Sequence, residues 1–464
     1  MPRSDAPPAQ DPGGTNSIVW RPPASHLQER WYRAVDDRKS NYNVLVAWRL
    51  RGPVDPGALG HTLGELAARH EILRTSFDER DGRVEQCVHR VGASPPAPLT
   101  PLDLRSAADP AAAVRAVLAA EVDRPFALRE APLWRALLIR LDHEDHVLAL
   151  VLHHGVCDGW SSRLLKRDLV ALHRAAKRGE PVTLPEPPLQ FGDVASWERS
   201  LRDAERESWW RARLGAADGA ASPVLDLPFV VVRHPVPVVS APVVRRLTEV
   251  AGQCGATLAT AFSAAAAMAL APALGAAATF GVAHANRGEV DLQAVVGPVF
   301  DYLPVRVDLH GAPTAGELIA RFRREEHAAR DQALPLGCIE RAVLGDDPPK
   351  PHRGLFDVIL NFIPSSPSAP PRQPAVDPTE LRFTPFDPGE LAVQVRADHD
   401  FPGAGRFSVV LRQTPDGDVA GHVYGRAGAL GRSGLARLAR RVTGTAERIA
   451  RDPTARSRTL SRTR

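Results

Sequence analysis

Cysteine is scarce in this chain: four residues in 464, Cys87, Cys157, Cys254 and Cys338, lie far apart. They form no CxxC pair and show no metal-ligand spacing. That excludes a disulfide framework and predicts reduced thiols, no metal and a cytoplasmic protein. An excess of charge of one sign is missing too. The 58 basic and 54 acidic residues leave a net charge of +4, and no basic cluster is interleaved with aromatics, so nucleic acid is not an expected partner. The densest basic run, Arg451 to Arg464, reads as a solvated terminus. Long hydrophobic runs are nearly absent. The N-terminal MPRSDAPPAQDPGG has no apolar core, which reads as a disordered leader rather than a signal peptide. From Ala251 to Ala283 no charge occurs, but the stretch is Ala- and Gly-rich and is broken by Gly255, Pro272 and Gly275. It reads as a buried helix, Leu258 to Leu270, a turn and a strand, Thr279 to Ala283, rather than a membrane span.

The most informative stretch is Leu152-His153-His154-Gly155-Val156-Cys157-Asp158-Gly159-Trp160. Val147 to Leu152 is short, continuous and apolar, and reads as a buried strand. Trp160 to Arg174 has helical spacing. The two histidines therefore end a strand, and Gly155 with Asp158-Gly159 marks the turn into a helix. Side chains alternate across a strand, so only one histidine faces a given cavity. A structural, hydrogen-bonded role suits His153. For His154 a chemical role is preferred, because imidazole titrates near neutrality and can take a proton from an attacking amine or hydroxyl. Asp158 reads as half of an ion pair holding the turn in preference to a triad carboxylate, and Cys157 as an apolar filler in preference to a nucleophile. Gly159 would let a reacting group approach the backbone, where N–H groups can meet an oxyanion.

Strands and helices alternate in both halves, which predicts a mixed α/β architecture. Helical spacing covers Leu59 to His70, Ala111 to Val122, Val194 to Leu214, Ala315 to Arg330 and Ser433 to Ala450, with strands between, Leu391 to Val395 among them. Pro364 to Pro378 reads as a surface loop. Glu180 to Pro188 carries four prolines and is the linker candidate. The expected division is a leader (1–18), an N-terminal lobe (19–182), a C-terminal lobe (183–453) and a basic tail (454–464).

From about Ser25 to Pro453 the chain resembles the condensation domains of nonribosomal peptide synthetases. Ser25-His26-Leu27-Gln28-Glu29-Arg30-Trp31, Asn41-Tyr42-Asn43-Val44, Gly52-Pro53-Val54-Asp55 and Arg69-His70-Glu71-Ile72-Leu73-Arg74-Thr75-Ser76-Phe77 follow the family's blocks in order. Phe191-Gly192-Asp193-Val194-Ala195-Ser196-Trp197 and Trp210 with Leu225-Asp226-Leu227-Pro228 continue them. Leu355-Phe356-Asp357-Val358 and Asp452-Pro453 are fainter echoes. Two departures stand out. Gly297-Pro298-Val299-Phe300-Asp301-Tyr302 replaces Gly-x-Phe-Val-Asn-Thr, and Asp331-Gln332-Ala333-Leu334-Pro335-Leu336 replaces His-Gln-Asp-x-Pro-Phe.

The resemblance implies two chloramphenicol-acetyltransferase-like lobes arranged as a V with the active site at their interface. It implies an acyltransferase that moves an acyl or aminoacyl group from a carrier-protein thioester to an amine or alcohol, forming an amide or an ester; with no recognisable adenylation domain or carrier-protein serine motif in the sequence, the expected enzyme is freestanding. His154 takes the catalytic role. Asp158 would pair with Arg287, His153 would brace the strand, Gly159 would admit substrate, and Arg74 would help hold the site. Asp301 becomes the acceptor-side candidate. No cofactor is expected to be bound; the donor would arrive on the phosphopantetheine arm of a peptidyl carrier protein, and the acceptor would be a small molecule or carrier-bound. The alternatives are a coenzyme-A-dependent acyltransferase of the same superfamily and a catalytically silent recruitment module.

Overall fold

The computed structural model describes residues 17–34, 42–93, 99–215, 231–345, 355–365, 381–386 and 407–456. Most of the expected leader and basic tail, Leu225 to Pro228, the strand at Leu391 to Val395 and most of the loop at Pro364 to Pro378 lie outside these residues. The chain forms two compact units. The first draws on Met1–Leu201, Ala285–Phe300 and Pro374–Arg396, the second on Arg202–His284, Asp301–Gln373 and Ala397–Arg464.

In the first unit the elements are β1 (Ile18–Trp20), α1 (His26–Ala34), β2 (Asn43–Arg51), α2 (Pro56–Arg69), β3 (Thr75–Arg80), β4 (Arg83–His89), β5 (Leu99–Asp103), α3 (Pro110–Asp123), β6 (Trp134–Asp142), β7 (Asp145–His153), α4 (Ser161–Arg178), α5 (Phe191–Ser200) and, late in the chain, β12 (Arg382–Pro385). The main sheet runs β12-β2-β7-β6-β5, and a smaller sheet runs β1-β4-β3. In β7 every residue from His146 to His153 is buried. A strand covered on both faces needs a continuous apolar run rather than alternation, and Val147 to Leu152 is such a run. Helix starts are capped as their sequences require: Asp55 accepts from the Gly57 and Ala58 N–H groups, and Asp109 from Ala112. α4 ends at Gly179, whose φ of 64° is the left-handed conformation that glycine reaches without steric cost.

The second unit contains α6 (Ala204–Leu214), β8 (Val231–Pro235), α7 (Ala241–Gln253), α8 (Leu258–Leu274), β9 (Ala277–His284), β10 (Asp301–Asp308), α9 (Ala315–Asp331), α10 (Leu336–Leu344), β11 (Val358–Ile363), β13 (Phe407–Gln413), β14 (Val419–Arg426) and α11 (Ala427–Arg451). Its six-stranded sheet runs β10-β9-β11-β13-β14-β8. The Ala-rich α8 is buried from Thr260 to Leu270. Among the described residues no single helix is long and apolar enough to cross a membrane, although α7 and α8, bent by 97°, pass that test as a pair.

Two elements differ from their sequence expectation. Val194 to Leu214 is not one helix. Leu201 adopts an extended conformation, and Asp203 then caps a new helix by accepting from the Arg206 N–H, so the charged stretch splits into α5 and α6. The chain first passes between the units at this break, after Leu201, whereas the proline-rich segment 180–188 lies within the span of the first unit. The apolar run Val295 to Val307 also divides. Its second part is β10, which pairs with β9 so that Asp301 faces His284. Its first part belongs to residues 285–300, which leave that strand pair and join the first unit.

Candidate active site

β7 delivers His153 as its last residue, paired with Asn43 of β2. His153 is buried, and its Nδ1 accepts from the Gly155 N–H at 3.0 Å. Burial pushes its pKa down to about 3, with His154 adding to the shift, so the ring is neutral. Gly155 is required there, because a Cβ would lie 2.9 Å from His153 Nδ1 and 3.4 Å from the Phe77 ring.

His154 opens a short 3₁₀ turn, His154–Val156, and is half-buried. Its N–H donates to the Tyr42 carbonyl at 2.6 Å. The same turn is gripped by α1, where Gln28 Nε2 donates to the Gly155 carbonyl at 2.8 Å. Burial lowers the His154 pKa, against the opposing pull of the backbone carbonyls of His154 and Cys157 and of the Asp158 carboxylate. Cys157 is buried, and burial raises its thiol pKa well above the ordinary value. A thiol held protonated is a poor nucleophile.

Aromatic rings stand beside His154. Its centroid is 4.8 Å from Trp31 and 5.1 Å from Phe300. Trp31 and Phe300 are 6.0 Å apart, so the three rings form a triangle. Trp31 is buried on α1 and packs with Leu27 and Tyr42.

Asp158 and Arg287 form the electrostatic centre. Arg287 Nη2 donates to Asp158 Oδ1 at 3.1 Å and Oδ2 at 2.9 Å, and the pair's side chains are 1% and 3% exposed. Arg287 also donates to the carbonyls of Leu292 (2.6 Å), Val295 (2.7 Å) and Gly297 (3.2 Å). Asp158 Oδ1 accepts from the Ser161 N–H and Oγ–H, each at 2.7 Å, and Oδ2 from the Phe300 N–H at 3.4 Å. Ser161 Oγ accepts in turn from the Gly297 N–H at 3.0 Å. The carboxylate thus starts α4 and fixes residues 285–300 together. Gly297 has φ of 150°, and a Cβ on it would come within 2.3 Å of the Phe191 ring.

The structure therefore brings together His153, His154, Asp158 and Arg287. Gly159 is exposed beside them at the start of α4, and a Cβ there would meet nothing within 4 Å. Arg74 is engaged elsewhere, donating to the His89 carbonyl and pairing with Glu71 at 3.3 Å. Asp301 belongs to the second unit. Its Oδ1 accepts from the Tyr302 N–H at 2.8 Å, and its Oδ2 accepts from the Leu336 N–H at 2.7 Å, at the start of α10. Sequence reasoning missed Ser161 as an Asp158 partner and Trp31 and Phe300 as neighbours of His154. The only local signal for Trp31 was its i, i+4 spacing from Leu27 on an amphipathic helix. Among the described residues no group of three or more His, Cys, Asp or Glu could hold a metal ion.

Comparison with known proteins agrees over most of the chain. The condensation-domain family model matches residues 21–387. Phosphinothricin tripeptide synthetase PhsC of Streptomyces viridochromogenes is 35% identical over 357 residues, 71% of this chain and 32% of that protein. Malpinin synthetase of Mortierella alpina is 32% identical over 363 residues, 73% of this chain and 4% of that protein. The chain thus spans a third or less of these relatives. The X-domain from teicoplanin biosynthesis superposes with a TM-score of 0.75 at 26% identity, covering 97% of this chain and 99% of that one. SgcC5 from Streptomyces globisporus superposes with a TM-score of 0.74 at 24% identity, covering 94% and 100%. With its mixed α/β fold of the chloramphenicol-acetyltransferase type, the chain belongs to the condensation-domain family of nonribosomal peptide synthetase systems.

Proposed function

We propose that this protein is an acyltransferase that moves an acyl or aminoacyl group from the phosphopantetheine thioester of a peptidyl carrier protein to an amine, forming an amide, or to a hydroxyl, forming an ester. The observation that carries the reading is the neutral, half-buried His154 at the mouth of a strand-turn-helix whose turn is tied by the Asp158–Arg287 pair. A general base must be unprotonated at working pH, and burial keeps His154 so. In the tautomer protonated on Nδ1, the ring offers the Nε2 lone pair to the nucleophile.

The nucleophile's N–H or O–H proton passes to His154 as its lone pair attacks the thioester carbonyl carbon. The C–S bond then breaks, and the pantetheine sulfur leaves as a thiol with the proton that His154 took up. His153 and Asn43 brace the end of β7, and Asp158 and Arg287 hold the turn. Exposed Gly159, at the positive end of α4, lets the thioester oxygen lie close to the backbone as charge develops on it. We place the reaction in the cytoplasm, with the carrier protein as donor partner and a small-molecule or carrier-bound acceptor.

The test is turnover with acyl-loaded carrier protein and an acceptor panel, followed by intact-mass spectrometry. His154→Ala should lower the rate by about 10²- to 10⁴-fold. Unchanged turnover in that variant refutes the base assignment. Turnover with free acyl-coenzyme A in place of the carrier overturns the donor assignment, and carrier binding without turnover by the wild type overturns the enzyme reading.

A further inference from the structure

We propose that Phe300 determines acceptor specificity: with Trp31 it walls one side of the His154 ring and favours nucleophiles that are slim or flat next to the attacking atom over those branched there. The inference rests on the reading of His154 as the base.

Residue 300 is one of four positions, 299 to 302, at which the segment differs from Gly-x-Phe-Val-Asn-Thr, and it places a phenyl ring where that pattern has valine. The substitution is not on an idle surface. The Phe300 centroid lies 5.1 Å from that of His154, with the planes tilted by 42°. Its backbone is held, since the Phe300 N–H reaches Asp158 Oδ2 at 3.4 Å, within the group that fixes residues 285–300. Trp31 contacts both rings and is itself buried, so the Phe300 ring cannot simply swing onto its position. Because Trp31 and Phe300 also approach each other, they form a corner against the imidazole instead of enclosing it between them.

An acceptor that delivers a proton to His154 must lie against this corner. Bulk on the carbon bearing the nucleophile meets the phenyl ring. A flat aryl group instead finds an edge or face to pack on, which adds attraction. A glycine-type amine or an aryl amine is therefore preferred over a valine-type amine. The ring also withholds water from His154. Among the described residues, the titratable groups around that imidazole include Asp158, paired with Arg287, together with His153, Tyr42 and the buried thiol of Cys157; on α1, Glu29 is tied to Arg33 and Arg199. None of these is altered when Phe300 is replaced.

The experiment measures kcat/KM for a glycine-type, an aryl and a valine-type amine, with a carrier-bound acyl donor, across pH. Phe300→Val should improve the valine-type amine relative to the glycine-type by about tenfold, the scale of a steric change in an apolar pocket. It should also move the acid limb of the profile to higher pH, because loss of shielding raises the base's pKa. Phe300→Tyr keeps the ring and should keep the wild-type ranking. If Phe300→Val does not fold, Phe300→Leu carries the same comparison. Wild-type ranking and acid limb in the ring-less variant overturn the assignment, as does a Tyr variant that ranks acceptors like the Val variant. A fully active His154→Ala brings down the base reading itself, a failure distinct from an inactive His154→Ala beside an unaltered Phe300→Val.

Discussion

Replacing Arg287 by alanine should unfold the neighbourhood of His154 before it alters any chemistry. The guanidinium makes contacts to both Asp158 oxygens and to three backbone carbonyls, and its side chain is 1% exposed. Without it Asp158 remains a buried carboxylate served, among the described residues, by the Ser161 groups and the Phe300 N–H, and the carbonyls of Leu292, Val295 and Gly297 lose a donor. Breaking one half of a buried pair costs about 3–5 kcal/mol, because the survivor stays charged and desolvated. At about 2–4 °C per kcal/mol for a unit of this size, the midpoint falls by about 6–20 °C. Differential scanning calorimetry at pH 7 reads this directly. The double variant Asp158→Asn/Arg287→Met removes both charges and should recover a large part of the loss. A midpoint for Arg287→Ala within about 2 °C of wild type refutes the reasoning. Strictly additive losses in the double variant do so as well, since groups in contact must couple.

Other outcomes follow from the same geometry. His153 has a folded pKa of about 3, below its unfolded value of about 6.5, so the unfolded chain binds the extra proton between those limits. Its contribution is complete above about pH 6.5 and shrinks by about 1.4 kcal/mol per unit as pH falls toward 3. Between pH 7 and 5 urea denaturation should therefore show the wild type losing about 2 kcal/mol more than His153→Asn, whose amide oxygen can still accept from Gly155; equal losses refute it. Gly297→Ala should cost about 1–3 kcal/mol, because its methyl overlaps the Phe191 ring. A thermal midpoint unchanged from wild type in that variant would show that the loop accommodates a side chain.

Much of this site could be read along the chain, and the reasons differ residue by residue. Val147 to His154 declared a strand end because its pattern is local, and glycines 155 and 159 declared the turn. Arg287 was reachable only through the ordered motifs, since no periodicity connects it to Asp158, 129 residues away. Trp31 and Phe300 were out of reach: each sits in a plausible core pattern, and their meeting at His154 is purely tertiary. The backbone bonds of Asp301 were not legible: in the fold both carboxylate oxygens accept backbone N–H groups, one of them at the start of α10, where Pro335 offers no side-chain cap. The break between α5 and α6 was masked by charged residues of high helix propensity on both sides of Leu201.

Residues 285–300 are spelled between two strands of the second unit but are counted with the first, where Arg287, Gly297 and Phe300 meet Asp158, Ser161 and His154. Gene order and structural membership therefore disagree at the heart of the site. A hybrid made by swapping the first two hundred codons between relatives would join one parent's carboxylate to the other parent's arginine and ring. Recombination that respects the molecule has to exchange this short insert together with the distant segment it serves.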